Sequence, residues 1–128
     1  MTIVEQVAQY LDDQAIGIIG SSLFFSYLPE TDSGDFTIAV IDTGGFKPSI
    51  YIPTKSPNFQ VFIRAKDFDT GKAKLDAIRL ALHQKMNSQL VTGQTYFYYI
   101  FAQAEGGHLG KNESGKDEFS INFYAKTR

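Results

Sequence analysis

Apolar residues recur at helical spacing at the start of the chain and again near its middle. The first such segment opens with Thr2, and Glu5 follows three residues later, as in a capping box that satisfies free backbone N–H groups of a helix. Three apolar residues then share one helical face: Val4, Val7 and Leu11. This pattern predicts a short amphipathic helix from residue 3 to about residue 13.

The second helical segment begins after residue 66 and has three possible N-caps: Asp67, Asp69 and Thr70. A narrow apolar stripe follows at helical spacing, formed by Leu75, Ile78, Leu82 and Met86. A second stripe lies on nearly the opposite side and consists of Ala73, Ala77 and Leu80. Because a helix packed on a sheet needs only one apolar face, the second stripe is expected to meet either the first helix or another subunit.

Apolar residues that are closely spaced or alternate with polar ones mark most of the remaining chain as strands. The predicted strand segments are 22–28, 36–41, 59–64, 96–104 and 119–124. The second of these is expected to end at a turn formed by Asp42, Thr43, Gly44 and Gly45. Prolines interrupt the segment that follows, so Ile50–Ile52 is predicted to be at most a short edge piece.

These elements predict the order α-β-β-β-α-β-β and a single domain over residues 1–128. The expected fold class is α+β, with one mixed, mostly antiparallel sheet and two helices on one of its faces. The last two strands are predicted to form a hairpin with a long connection at 105–117. That connection contains four glycines and five charged residues, so it is expected to be a flexible, solvated loop.

Composition and charge exclude several classes of protein. The hydrophobic fraction is 43% and the aromatic fraction is 14%, which is too apolar for a disordered chain. The formal net charge is −2, so no basic excess is available to bind free nucleic acid. The apolar runs are far shorter than the roughly 20 residues that span a bilayer. We expect a soluble cytoplasmic product with no membrane partner.

Residues that could carry out catalysis or bind a metal are sparse. The chain has no cysteine and only two histidines, His83 and His108. The adjacent carboxylates Asp12 and Asp13 flank a predicted helix, where capping explains them better than acid–base catalysis. No phosphate-binding loop or nucleophile-elbow motif is present. We therefore expect a non-enzymatic protein with no cofactor and no metal site.

Four aromatic residues fall on strand positions opposite the more aliphatic face: Tyr51, Phe62, Tyr98 and Tyr124. If the helices cover only one face of the sheet, these side chains remain on the other, where grouped aromatic residues mark an interaction site. The alternative is that the first helix or the loops cover them. The sequence leaves both possibilities open.

Three motifs in the same order resemble the phage minor capsid and tail-terminator family. They are Val40–Gly45 followed by Pro48, then Val61–Lys66, and finally Gly110–Gly115 leading into Phe119–Phe123. The resemblance covers about residues 36–128, and the N-terminal helix fits the family's architecture. Lys111 and Asn112 stand where Arg and Asp are more usual.

Proteins of that family assemble as hexameric rings at the head-proximal end of a long non-contractile tail. The resemblance therefore implies a structural virion protein, made in the bacterial host cytoplasm and located in the tail. Its implied partners are further copies of itself, the tail-tube protein, whose polymerisation it stops, and the head-connector protein. DNA is expected only to pass through the lumen of the ring.

The candidate site residues are all interface residues. The segment Asp42, Thr43, Gly44 and Gly45 is expected near a subunit boundary. Arg64 is a candidate for an intersubunit salt bridge, because a guanidinium can bind a carboxylate at two points; the alternative is a solvated arginine at a strand end. The Ala73, Ala77 and Leu80 stripe and the aromatic sheet face are candidates for the two patches of a ring interface. Candidate partner contacts in the 105–117 connection are His108, Leu109, Lys111, Asn112 and Glu113.

Two other functions remain compatible with these patterns. The first is another neck or head-completion protein of the same phage class. The second is a small-ligand-binding or enzymatic α+β domain that uses the 105–117 connection as a lid. The second alternative requires an aromatic-lined pocket beneath that connection.

Overall fold

The computed structural model describes residues 1–29, 34–46 and 54–128. Within these residues the chain forms two helices, α1 (Ile3–Asp13) and α2 (Phe68–Leu82), and seven strands. The strands are β1 (Leu23–Phe25), β2 (Phe36–Phe46), β3 (Ser56–Ala65), β4 (Lys85–Gln89), β5 (Tyr96–Ala102), β6 (Gly107–Lys111) and β7 (Asp117–Thr127).

The strands form one mixed sheet in the order β1-β2-β3-β7-β5-β4, with β6 paired beside β5 along the same edge of β7. β1 and β2 run in parallel, and the other neighbouring pairs are antiparallel. Both helices pack on one face of this sheet and share a single core with it. The predicted α+β class and the placement of the helices are therefore confirmed.

Each helix begins at the polar residue that its sequence predicts. The Thr2 hydroxyl accepts a hydrogen bond from the Glu5 backbone N–H at 3.2 Å, and the Asp67 carboxylate accepts one from the Thr70 N–H at 2.8 Å. The backbone hydrogen bond from Thr70 lowers the pKa of Asp67 below its ordinary value. These side chains satisfy donors that a helix N-terminus leaves without partners, so they fix where each helix starts.

The main stripe of α2 is buried at Leu75, Ile78 and Leu82, as its spacing predicts. Met86 does not belong to that stripe, because α2 ends at Leu82 and His83 is its C-cap. The chain turns at Gln84, which has a positive φ of 63°, and enters β4. Met86 lies on that strand with 55% of its surface exposed.

The Asp42–Gly45 segment does not end the second strand, contrary to the sequence-based prediction. β2 continues through it to Phe46 with a shift of register between Asp42 and Gly44, which is a β-bulge. The Asp42 carboxylate accepts a hydrogen bond from the Gly44 N–H at 2.7 Å, and Gly44 has a positive φ of 94°. These residues therefore form an irregularity within a strand and not a terminal turn.

The 105–117 connection is ordered as a strand and a short turn, so the prediction of a long flexible loop is wrong. β6 pairs with the start of β7, with Gly107 opposite Ser120 and Lys111 opposite Asp117. β4 was also missed by the sequence pattern, because its residues are mostly polar and it lies at the sheet edge. The predicted strand 22–28 is reduced to β1, and Ile50–Ile52, including Tyr51, lies outside the described residues.

Candidate assembly interfaces

The sheet face opposite the helices carries a group of aromatic side chains at its β5–β7 side. Phe97 and Ile100 of β5 are both fully buried in the core, although an uninterrupted strand cannot point residues three apart to the same face. A register shift between Phe97 and Tyr99 resolves this, because it adds one residue to β5. The bulge thereby places Tyr98 and Tyr99 on the same open face.

We call this group the aromatic patch, and its members are Tyr96, Tyr98, Tyr99, Phe101 and Tyr124. The rings of Tyr99, Phe101 and Tyr124 contact one another, and those of Tyr96 and Tyr98 form a separate pair. The centroids of Tyr99 and Phe101 are 5.2 Å apart, and those of Phe101 and Tyr124 are 5.8 Å apart. Each of these residues is half-buried.

Basic side chains border the aromatic patch. The Arg128 guanidinium lies over the Tyr96 ring, 5.1 Å from its centroid, as in a cation–π contact. A hydrogen bond with the Tyr98 side chain raises the pKa of Arg128 above its ordinary value. Lys126 lies opposite Tyr99 in the β5–β7 pairing. The patch therefore combines aromatic surface with positive charge.

The β6–β7 hairpin is held at its base by a buried carboxylate. Asp117 is almost fully buried; its Oδ2 accepts a hydrogen bond from the Lys111 ammonium at 2.9 Å, and its Oδ1 is 2.8 Å from His108 Nε2. The ion pair with Lys111, followed by the bond to His108, lowers the pKa of Asp117 below its ordinary value, although burial opposes the shift. The His108 ring also packs against Phe119, with centroids 4.9 Å apart.

The turn of the hairpin is organised by Asn112. Its side-chain oxygen accepts hydrogen bonds from the Ser114 N–H at 3.0 Å and the Lys116 N–H at 2.9 Å. Its backbone N–H donates to the Lys116 carbonyl at 2.8 Å, closing the turn. Three of the five predicted contact residues of this connection, His108, Lys111 and Asn112, thus have identifiable roles within the hairpin.

Leu109 and Glu113 are exposed on the hairpin and are available for contact. Leu109 is the added residue of a bulge in β6 and has 59% of its surface exposed. Glu113 lies in the turn. Their assignment as partner contacts stays a prediction.

The second stripe of α2 is only partly covered by the chain itself. Ala77 packs at the margin of the core, whereas Ala73 is exposed and Leu80 has 85% of its surface exposed. Ala77 and Leu80 line a groove of about 570 Å³ at the C-terminal end of α1. Local packing therefore accounts for Ala77 alone, and Leu80 remains a candidate for contact with another molecule.

Arg64 is the candidate that the structure favours least as an intersubunit salt bridge. It is 8% exposed, and its guanidinium donates a 2.6 Å hydrogen bond to the Pro29 carbonyl of the same chain. It is also not the solvated arginine of the alternative prediction. The sequence pattern predicts Arg64 near a strand end, but it cannot show that Pro29, which follows β1, comes within hydrogen-bonding distance of it.

The sequence identified only part of the aromatic patch. Tyr98 and Tyr124 were singled out, but Tyr96, Tyr99 and Phe101 were not. Strict alternation along β5 would place Tyr98 and Tyr99 on opposite faces. The sequence pattern does not predict the bulge that brings them to the same face. The usable signal was the run of five apolar or aromatic residues Tyr96–Ile100, which is longer than alternation allows for a half-buried strand.

Chemistry other than contact has little support among the described residues. In that part of the chain, no three His, Asp or Glu side chains are grouped as metal ligands. The pocket at the base of β6 is lined by small and polar side chains with Ile121, and none of its lining residues is aromatic. It therefore does not match the aromatic-lined pocket that a lid function requires. No helix in the described ranges is long and apolar enough to cross a membrane.

Comparison with known proteins identifies the family. A family model described as "Bacteriophage tail terminator protein" matches residues 10–128. The chain belongs to this family. It is therefore a structural protein of the virion tail, and the resemblance drawn from the three sequence motifs is confirmed.

A solved structure has the same fold as this tail terminator family member. A chain of the "Virion of native gene transfer agent (GTA) particle" superposes with a TM-score of 0.65 at 15% sequence identity, and the alignment covers 98% of this chain and 93% of that one. At this identity the likeness establishes the fold alone. None of the curated proteins compared with the chain matches it.

Proposed function

We propose that this protein is one subunit of a ring, most simply a hexamer, that caps the head-proximal end of a long non-contractile tail. The ring ends polymerisation of the tail-tube protein and provides the surface to which the head connector binds. The observation that carries the proposal is the family match over residues 10–128. DNA passes through the lumen of the ring without being a specific ligand.

The two ends of the sheet support contacts in opposite directions along the tail. One end of the sheet carries the β6–β7 turn, next to the pair of Ala65 and Asp117 at the C-terminal end of β3. The other end is marked by the pair of Phe46 and Ser56 at the N-terminal end of β3. The ten residues of β3 separate these ends by about 33 Å at ~3.3 Å per residue. A subunit with this geometry can meet the tail tube with one end and the head connector with the other.

Termination of tube growth is the property that tests the proposal. Tail-tube subunits are polymerised from a tail-tip complex, so that each tube has a single growing end, with and without the purified protein. We expect the protein to bind that end, to stop elongation, and to give a mass corresponding to about six copies per tube. Tube length is measured by electron microscopy and bound mass by light scattering of the separated tubes.

Two controls distinguish tail termination from the function of another neck or head-completion protein. Unassembled tube subunits added after capping should not extend capped tubes, whereas tubes incubated without the protein should continue to grow. Isolated head-connector rings are tested in parallel for binding. A protein that binds connector rings but leaves tube growth unchanged is another neck or head-completion protein, and the termination proposal is then wrong.

A further inference from the structure

The side chain of His83 takes part in the pairing of β5 at the point where β4 begins. Its Nδ1 accepts a hydrogen bond of 3.0 Å from the Ala102 backbone N–H. Next to it, the Gln84 N–H donates to the Ile100 carbonyl at 2.8 Å. Because β4 starts only at Lys85, opposite Ile100, a side-chain nitrogen supplies the acceptor that a longer β4 would supply from its backbone.

The end of α2 explains this substitution of a side chain for a backbone group. His83 is the C-cap of the helix, and its N–H donates to the Arg79 carbonyl at 2.8 Å. The chain then reverses at Gln84, which has a positive φ of 63°. The backbone before Lys85 therefore forms the helix end and the turn, and the imidazole pairs with Ala102 in its place.

This hydrogen bond requires the neutral imidazole with its hydrogen on Nε2. A backbone N–H can only donate, so the ring nitrogen that faces it must be unprotonated. Protonation places a hydrogen on Nδ1 and leaves the Ala102 N–H without its acceptor. His83 is half-buried, so water reaches it, and histidine ordinarily changes charge between about pH 5 and 8.

The charged ring has favourable contacts of its own. His83 ends α2, and the C-terminus of a helix attracts a cation. The Phe101 ring centroid is 5.7 Å from that of His83, within the ~6 Å at which a cation is attracted to an aromatic face. Protonation therefore exchanges one set of interactions for another.

The other charged and titratable groups near His83 can be named element by element. Lys85 of β4 lines the same groove, and its ammonium lies 4.9 Å from the centroid of the Tyr10 ring of α1. On α2, the Arg79 guanidinium lies 3.7 Å from the Asp76 carboxylate. None of the described residues that line this groove is acidic, so no carboxylate there holds the imidazolium in place.

We propose that His83 is a proton-dependent switch at the end of β5. The neutral ring holds the Ala102 N–H, and the charged ring releases it and is attracted to Phe101. Phe101 belongs to the aromatic patch, so the protonation state of His83 acts on a candidate assembly surface. The switch needs neither the ring nor the tail tube, and it therefore goes beyond the proposed function.

Amide hydrogen exchange of Ala102, followed by NMR, tests the switch. Rates are corrected for the intrinsic effect of pH and compared between about pH 8 and pH 5, while the His83 ring signals report its protonation in the same samples. We expect the protection of Ala102 to fall about fivefold as His83 is protonated, which is the factor that loss of one hydrogen bond gives. Amides of β3 should keep their protection.

Substitutions at the two histidines assign the effect. In His83→Asn, the side-chain Oδ1 can accept the Ala102 N–H from the position of Nδ1 but does not titrate, so protection should be retained at both pH values. His83→Ala has no acceptor and should leave Ala102 weakly protected at both. His108 is the other histidine of the chain, and His108→Gln should keep the pH dependence of the wild type.

The outcomes that contradict the switch are distinct from one another. Protection of Ala102 that is independent of pH in the wild type, or a pH dependence that survives in His83→Asn, shows that His83 does not control it. A loss of protection that extends to β3 at the same pH is global unfolding. Ring 15N shifts that place the hydrogen of neutral His83 on Nδ1 rule out the hydrogen bond itself. Tail termination is judged separately, by tube length.

Discussion

At the scale of single residues, Gly71 shows how closely α2 approaches the sheet. It lies on the buried side of the helix, and a Cβ atom at this position would overlap the ring of Phe119 on β7. Glycine normally weakens a helix interior by ~1 kcal/mol relative to alanine. Here the absence of a side chain allows α2 to pack closely against Phe119, so the packing contact outweighs the low helix propensity of glycine.

We expect Gly71→Ala to destabilise the protein by up to about 2 kcal/mol. The steric cost of adding a methyl group to a packed core is ~1–3 kcal/mol, and the gain of ~1 kcal/mol in helix propensity offsets part of it. Urea unfolding measures the change. Gly107→Ala is the matched control, because a Cβ there meets open space; equal stability of the two variants would show that the Phe119 contact is unimportant.

Asp117 makes stability depend on pH in the acidic range. Its pKa is lowered below the ordinary value of 3.8 in the folded protein, so its ionised form favours folding. This contribution is fully present above the ordinary pKa and is lost as the pH falls below it and through the lowered folded pKa. The pKa of Asp117 is lowered by Lys111 and His108, which both contact its carboxylate.

Asp117→Asn should therefore lower stability at pH 7 and flatten its decline between pH 5 and the acidic limit of folding, as measured by urea unfolding at a series of pH values. Glu113→Gln changes an exposed carboxylate in the same hairpin and should retain the wild-type profile. An unchanged profile in Asp117→Asn would show that other carboxylates govern acid unfolding.

At the scale of elements, the β6–β7 hairpin shows why a glycine-rich, charged segment can be ordered. Its sequence has too few apolar residues to form a core, and this led to the prediction of a flexible loop. The order comes from partners outside the segment and from its turn: pairing with β7, the buried Asp117 and the cap provided by Asn112. Periodicity within the segment carries none of this information.

We expect Asn112→Ala to destabilise the hairpin by about 1 kcal/mol, because two backbone N–H groups lose their side-chain acceptor and turn to water. Amide hydrogen exchange should accelerate in β6 and at the start of β7, while the exchange rates of α1 and β2 remain unchanged. Glu113→Ala alters the neighbouring turn residue and is the control. Uniform acceleration throughout the protein would contradict a local role for Asn112.

Other elements were predictable to different degrees. α1, β3, α2 and β7 follow their apolar spacing, since each buries one regular face, and the caps Thr2 and Asp67 mark where the helices begin. Apolar spacing does not predict β4 or the extension of β2, because their residues are mostly polar or glycine. These segments join the sheet by hydrogen bonding to a neighbouring strand, which the spacing does not show. The same limit applies to the aromatic patch, which depends on a bulge in β5.

At the scale of the whole molecule, the family was recognisable from motifs although the sheet topology was not. Val40–Gly45 lies on β2, and Val61–Lys66 covers the end of the paired strand β3 and the residue after it, so the order of the two motifs in the sequence reflects a single structural unit. The candidate interfaces were harder to predict, because an interface consists of residues brought together by folding.

The central place of β7 bears on when the protein can fold during its synthesis. β7 follows the other strands in the sequence, yet it lies between β3 and β5 and joins the two halves of the sheet. While residues 117–127 are still inside the ribosome, the β2–β3 and β4–β5 pairs have no strand to connect them. Incomplete chains therefore lack a finished sheet, and the assembly surfaces can form only after β7 has emerged from the ribosome.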